Sequence, residues 1–211
     1  RRRQYRLADD EAASCRIARN FIAGKVYNSR WLLERATRDH ALRVDAPKLK
    51  QASAALARSL PGIAACTDLD ALRGLEGEAA QHYFGALDEM VLQHKDEFYF
   101  RGRNWRPPLD NVNCMLSFAY ALLGNDCAAA LESVGLDPYV GFLHRDRPGR
   151  TSLAQDLMEE MRSAVADRFV LSSINRGMMQ PKHFLKKENG AVLMTDEGRK
   201  AFLQAWQTRK R

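Results

Sequence analysis

Apolar residues recur at helical spacing along almost the whole chain, and this periodicity restricts the fold to a mainly α architecture. Asp9 or Asp10 caps a first helix with a stripe of Ile17, Phe21, Val26 and Leu33, continuing towards His40. Pro47 starts a second, with Leu49, Ala52, Leu56 and Leu60 inward and Pro61-Gly62 as its stop. Thr67 and Asp70 predict a capping box for a third, whose stripe runs Leu69, Leu72, Glu76, Ala79, Tyr83, Leu87 and Met90. After an arginine- and aromatic-rich loop from Lys95 to Pro108, Asp110 caps a fourth helix through Leu116, Tyr120 and Leu123, stopped by Gly124. A short fifth helix is predicted from Asn125 to Val134, closed by Gly135. Asp137 to Gly149 reads as irregular. Ser152 and Gln155 then form a second box, opening a long helix with Leu153, Leu157, Met161, Val165 and Phe169 inward. Asn189-Gly190 between strand-like residues predicts a type I′ hairpin within Phe184 to Leu193. A last helix around Phe202 and Trp206 ends in Arg209-Lys210-Arg211. The expectation is one multi-helix domain over residues 1–211 with one short β-hairpin near the C-terminus.

Composition narrows the partners. The 211 residues are 45% hydrophobic and 28% charged, enough to bury a core. Apolar runs of a few residues fall far short of the ~20 that span a bilayer, so no membrane segment is expected. A net charge of +7 suits a polyanion, because Lys and Arg release counterions from a phosphate backbone. Cys15, Cys66, Cys114 and Cys127 form no CxxC pair and read as free thiols in a reducing cytoplasm. The chain opens on Arg1-Arg2-Arg3 without a signal-like stretch, which reads as a start cut from something longer.

Three features carry chemistry. Glu76 falls on an apolar face with Gly74 and Gly77 beside it, each costing about 1 kcal/mol in a helix interior. A charged carboxylate there needs a cation, and the glycines leave room for a ligand or another backbone. His144 ends the loop segment Gly141-Phe142-Leu143-His144 just before a helix, and neutral imidazole is a common metal ligand. Asp156 and Glu159 share a helix face at three-residue spacing. Each also has an ordinary reading: a solvent-facing Glu, a surface His, a solvated acidic face. Taken together, oxygen and nitrogen donors without thiolate suit Mg²⁺ or Mn²⁺ better than a structural zinc. Arg103 and Arg106 flank Trp105, Arg145, Arg147 and Arg150 follow His144, and Arg162 and Arg176 lie along the long helix. Guanidinium forks match phosphate geometry, so these seven are the candidate nucleic-acid contacts.

Four segments in order resemble the CRISPR-associated integrase, the "Cas one" family. They are Gly74-Leu-Glu76-Gly77-Glu-Ala-Ala80-Gln-His-Tyr83-Phe84, the run from Arg106 through Asp110, Asn113, Ser117 and Tyr120 to Leu123, Gly135-Leu-Asp-Pro138-Tyr-Val-Gly141-Phe-Leu-His144, and Ser152-Leu-Ala-Gln-Asp156-Leu-Met-Glu159. Gly24-Lys25, Asn28 and Arg30 add to the likeness, and Asp156-Leu-Met-Glu159 is similar to the type I-C form. The resemblance implies that Glu76, His144 and Glu159 bind one divalent metal, Mg²⁺ or Mn²⁺, with Asp156 as an accessory catalytic acid. It implies a DNA endonuclease and integrase joining 3′-hydroxyl ends of a spacer precursor to a repeat by transesterification. It also implies double-stranded DNA, the small "Cas two" protein, the "Cas four" nuclease and a second copy of the chain as partners. The family's N-terminal β-rich domain is absent from this sequence. A non-enzymatic basic helical module that binds DNA or aids assembly is the competing reading, separated from the first by whether Mn²⁺ binds.

Overall fold

The computed structural model describes residues 1–210. Eight α-helices carry the fold: α1 (Arg2–Ala8), α2 (Glu11–Asp39), α3 (Ala46–Ala65), α4 (Leu69–Leu87), α5 (Asn111–Ser133), α6 (Ser152–Met161), α7 (Arg168–Asn175) and α8 (Asp196–Arg209). Strands β1 (Phe184–Lys186) and β2 (Val192–Met194) pair antiparallel, Phe184 opposite Met194. The expected mainly α fold with one C-terminal hairpin is what forms. Arg211, the end of the predicted basic tail, lies outside the described residues.

Aspartates start most of the long helices. Asp10, Asp45, Asp68 and Asp110 each accept a backbone N–H from the first turn, worth about 1 kcal/mol apiece. The capping box at Thr67 and Asp70 does not form, because Asp68 takes that position and Asp70 pairs with Arg73 instead. The box at Ser152 does not form either: Thr151 is the N-cap and makes no side-chain cap bond.

Two predicted stops are overridden by packing. The second helix continues through Pro61 to Ala65, because the fully buried Ile63 secures a turn that lacks one donor. The fourth and fifth predicted helices are one element, α5. Gly124 lies against Gln155 and Met158 of α6, and Leu123, Cys127 and Leu131 keep the buried face continuous. By length and composition α5 is apolar enough to cross a membrane, contrary to the expectation from short runs, and half of that stretch is buried in the protein.

The long C-terminal helix is not a plain α-helix. A π-helical turn, Arg162–Asp167, separates α6 from α7. It advances the register, so Ala166 and Asp167 are buried where straight counting predicted Val165. The hairpin loop differs as well. Lys187 and Ala191 bracket a three-residue connection in which only Gly190 has positive φ (+80°), whereas type I′ needs it at two residues.

Helices α2, α3, α4, α5 and α6 pack around one core, with Ile22, Leu33, Leu49, Leu56, Leu72, Leu87, Met115 and Phe169 among its sealed side chains. The α2 stripe holds at Val26 and Leu33, but its first half is turned by one residue: Ala18 and Ile22 are sealed, Ile17 and Phe21 only half-buried. Trp206 of α8 stacks edge-on against Phe169 at 5.1 Å and donates to Asp126 at 3.2 Å, tying the C-terminal helix to the core.

Candidate active site

The inward face of α2 carries a charge. Lys25 is 8% exposed, between Ile22 and Ser29 on the buried stripe. Its Nζ donates to Glu76 Oε1 on α4 and, at 2.6 Å, to Glu159 Oε2 on α6. Glu76 and Glu159 therefore converge on one cation from separate helices. Glu159 Oε1 also forms an ion pair with Arg162 Nη2 at 2.9 Å and lies 3.9 Å from His144 Nε2. Nearby, Asn28 donates to the Glu160 carbonyl at 2.9 Å, holding α2 against α6.

Asp156 explains how a loop histidine reaches this place. The carboxylate is fully buried at the start of α6. Oδ2 accepts the backbone N–H of Phe142 (2.6 Å) and Leu143 (3.0 Å), and Oδ1 accepts that of His144 (3.0 Å). Oδ1 also meets His144 Nδ1 at 2.6 Å. A carboxylate there favours the proton on Nδ1, which leaves the Nε2 lone pair facing Glu159. Asp156 thus sits behind the imidazole as its positioning group. The loop needs glycine at 141, because a Cβ there would lie 2.8 Å from Ser152 Cβ and 2.9 Å from the Ser152 backbone.

A buried polar chain backs the site. In the π-turn, Asp167 accepts from Tyr83 at 2.8 Å and Tyr120 at 2.6 Å. The Tyr120 ring carries the guanidinium groups of Arg162 at 5.0 Å and Arg103 at 5.2 Å. Burial pushes the Asp167 carboxyl up, and the two tyrosine hydroxyls only partly offset this. Burial would raise Glu159 too, but Arg162 and Lys25 outweigh it and hold that carboxyl below its ordinary value. Arg162 Nε is buried without a partner among the described residues.

Three clefts meet at His144, and two of them hold the candidate acids and most of the candidate arginines. One, of about 430 Å³, is lined by Glu76, His144 and Glu159 with Arg145, Arg147 and Arg150. The other, of about 990 Å³, is lined by Arg103, Trp105, Arg106, His144, Arg147, Arg150 and Arg162. Six of the seven predicted arginines therefore gather beside the acidic pair. Arg103 is largely committed to Asn104, Asn113 and Ser117. Arg106 lies over Trp105 at 4.5 Å. Arg176 does not join them; it lines a separate pocket with Arg35, Arg43, Arg168 and Arg209.

Among the described residues, no group of three His, Cys, Asp or Glu side chains is gathered tightly enough to hold a metal. Glu76 and Glu159 nevertheless share a cation position, taken by the Lys25 ammonium, and the His144 Nε2 nitrogen lies 3.9 Å from the other Glu159 oxygen. Two hard oxygen donors and one imidazole around a position that already holds a positive charge fit Mg²⁺ or Mn²⁺. Gly74 and Gly77 have nothing within 4 Å of an added Cβ, so no other backbone approaches them.

Sequence reasoning overlooked Lys25 as part of the cluster. Its signal was a lysine on an apolar helical stripe after Gly24. Asp167, Tyr83 and Tyr120 were overlooked as a network. Their meeting depends on the π-turn, which no spacing rule announces.

The fold and the site together define a helical domain with an acid–imidazole cluster beside arginine-lined clefts. The family model described as CRISPR associated protein Cas1 matches residues 1–208, and the chain belongs to that family. It is 50% identical, over its whole length, to a CRISPR-associated endonuclease Cas1 of Chlorobaculum tepidum, and covers 61% of that protein. It is 38% identical to a Cas4 exonuclease/Cas1 endonuclease fusion of Geobacter sulfurreducens, over 98% of the chain and 37% of the fusion. A casposase bound to integration product superposes with a TM-score of 0.81 at 30% identity, over 97% of this chain and 58% of that one. A chain of a partial Cas6-RT-Cas1–Cas2 complex superposes with a TM-score of 0.84 at 25% identity, over 98% of this chain and 60% of that one.

Proposed function

We propose that this chain is the helical catalytic part of a DNA integrase and endonuclease of CRISPR adaptation. In this reading it joins the 3′-hydroxyl ends of a spacer precursor to a repeat by exchanging one phosphodiester for another. The observation that carries it is the convergence of Glu76 and Glu159, from separate helices, on one cation beside the His144 imidazole. Family membership and the superposition on a casposase bound to integration product support the same chemistry.

Glu76, His144 and Glu159 would hold the divalent ion, Mg²⁺ or Mn²⁺, which would supply Lewis acidity for the phosphate and the attacking hydroxyl. The chain's own groups do the rest. Asp156 keeps His144 in one tautomer and orientation. Arg147, Arg150 and Arg162 line the clefts where a phosphate backbone would lie and would offset charge developing on it. Trp105, half-exposed with Arg106 over its ring, offers a face for base stacking.

The partners in this reading are double-stranded DNA, Cas2, Cas4 and a second copy of the chain, with the cytoplasm as the compartment. The Cas1–Cas2 complex and the Cas4/Cas1 fusion among the similar proteins support the first two proteins. The test is strand transfer with Mn²⁺ on a branched DNA substrate. Glu76→Ala and His144→Ala should each lose at least ~10²-fold, with far-UV circular dichroism unchanged. Full activity in either folded variant ends the catalytic reading.

A further inference from the structure

We infer that Lys25 is the chain's own occupant of the cation position between Glu76 and Glu159, and that a divalent ion binds there by displacing its ammonium. This deepens the reading above and rests on it. In this role Lys25 keeps the two carboxylates converged before the metal arrives and sets how tightly the metal binds.

Geometry carries the inference. The Lys25 ammonium touches both carboxylates at once, within hydrogen-bond reach of Glu76 Oε1 and 2.6 Å from Glu159 Oε2. Any ion bridging these oxygens at ~2.1–2.5 Å would overlap it. Charge points the same way. The two carboxylates already face two monovalent cations, Lys25 and, at 2.9 Å from Glu159, Arg162. A divalent ion added with Lys25 still seated would place like charges in contact between the two carboxylates.

The α2 backbone cannot make the required movement. Asn28 bonds the Glu160 carbonyl, and a Cβ on Gly24 would lie 2.7 Å from Glu160 Cγ. The Lys25 stem can, because four flexible methylenes let the ammonium swing while Cα stays fixed. Glu76 and Glu159 line the open cleft of about 430 Å³, with Arg147 and Arg150 across it. An ammonium leaving its seat towards that cleft stays beside the phosphates that those arginines would hold.

A purely structural ion pair would behave differently. It would be needed equally with and without metal, and its removal would weaken metal binding or leave it unchanged. The test compares Mn²⁺ affinity, by the electron paramagnetic resonance signal of free Mn²⁺, in the full chain and in Lys25→Met and Lys25→Arg. Melting temperatures with EDTA and with Mn²⁺ are measured alongside. Lys25→Met should bind Mn²⁺ roughly tenfold more tightly than the unaltered chain, the ratio that ~1.4 kcal/mol of removed competition gives. It should melt lower than the unaltered chain in EDTA and recover with Mn²⁺. Lys25→Arg should bind more weakly, because a guanidinium fork grips two carboxylates more firmly. Equal or weaker binding by a folded Lys25→Met overturns the inference. If that variant folds in neither condition, Lys25→Arg decides, and binding as tight as the unaltered chain overturns it. If all three proteins ignore Mn²⁺, the metal reading falls with the inference. If the unaltered chain binds and the order fails, only the inference falls.

Discussion

Gly141 shows how one residue holds a site together. It permits the loop to press against the first turn of α6, where Asp156 collects three backbone N–H groups and the His144 ring. Gly141→Ala would drive a methyl into the Ser152 backbone, which cannot move without moving the helix. We expect a loss of about 1–3 kcal/mol in denaturant unfolding, typical of overpacking. Weaker Mn²⁺ binding should accompany it, because the imidazole is displaced as well. The catalytic substitutions belong to the same scale: Glu76→Ala removes one of the two carboxylates that meet at Lys25, and His144→Ala removes the only imidazole there.

At the scale of elements, the π-turn between α6 and α7 sets the register of the site's second layer. It places Arg162 on Glu159 and, five residues later, turns Asp167 towards Tyr83 and Tyr120. Tyr120→Phe would strip one donor from a buried carboxyl, a cost of about 1–3 kcal/mol. The pH dependence has a definite sign. Burial already raises the Asp167 carboxyl in the folded state, and loss of the hydroxyl raises it further. The destabilisation should therefore be greatest at pH above the folded value and shrink as pH falls through it, where Asp167 is neutral in both proteins. Unfolding curves across a pH series check this, and a penalty that grows on acidification contradicts it. Glu159 acts oppositely. Its folded value is held below the ordinary carboxylate one, so its contribution is present above that ordinary value and lost as pH falls below it.

Over the whole molecule, charge is distributed with a direction. The chain carries +7, yet its acidic cluster sits where two arginine-lined clefts meet. Binding of duplex DNA should weaken steeply with salt, with a log–log slope set by the phosphates neutralised. Replacing Arg147 and Arg150 together by serine should flatten that slope by about 2 and weaken every sequence alike. Fluorescence anisotropy across a salt series measures it, and an unchanged slope would remove these two arginines from the DNA path. The chain spans 61% of the length of the Chlorobaculum relative.

Much of this was legible along the chain. Helical periodicity, the caps at Asp10 and Asp110 and a hairpin around Asn189-Gly190 needed only local chemistry, and they specified a mainly α domain with one hairpin. Glu76 stood out as a carboxylate on an apolar stripe, His144 as a loop histidine ahead of a helix, and Asp156 and Glu159 as two acids on one helix face. Tertiary packing decided the rest. Gly124 and Pro61 did not end their helices, because buried neighbours outweighed propensities of about 1 and 3 kcal/mol. Lys25 joined the acids, and Asp156 turned behind the histidine, because α2, α4 and α6 pack side by side. No rule of spacing reaches across the 51 residues between Lys25 and Glu76, or the 134 between Lys25 and Glu159. A helix face is a local property; which faces meet is settled only when the whole core closes.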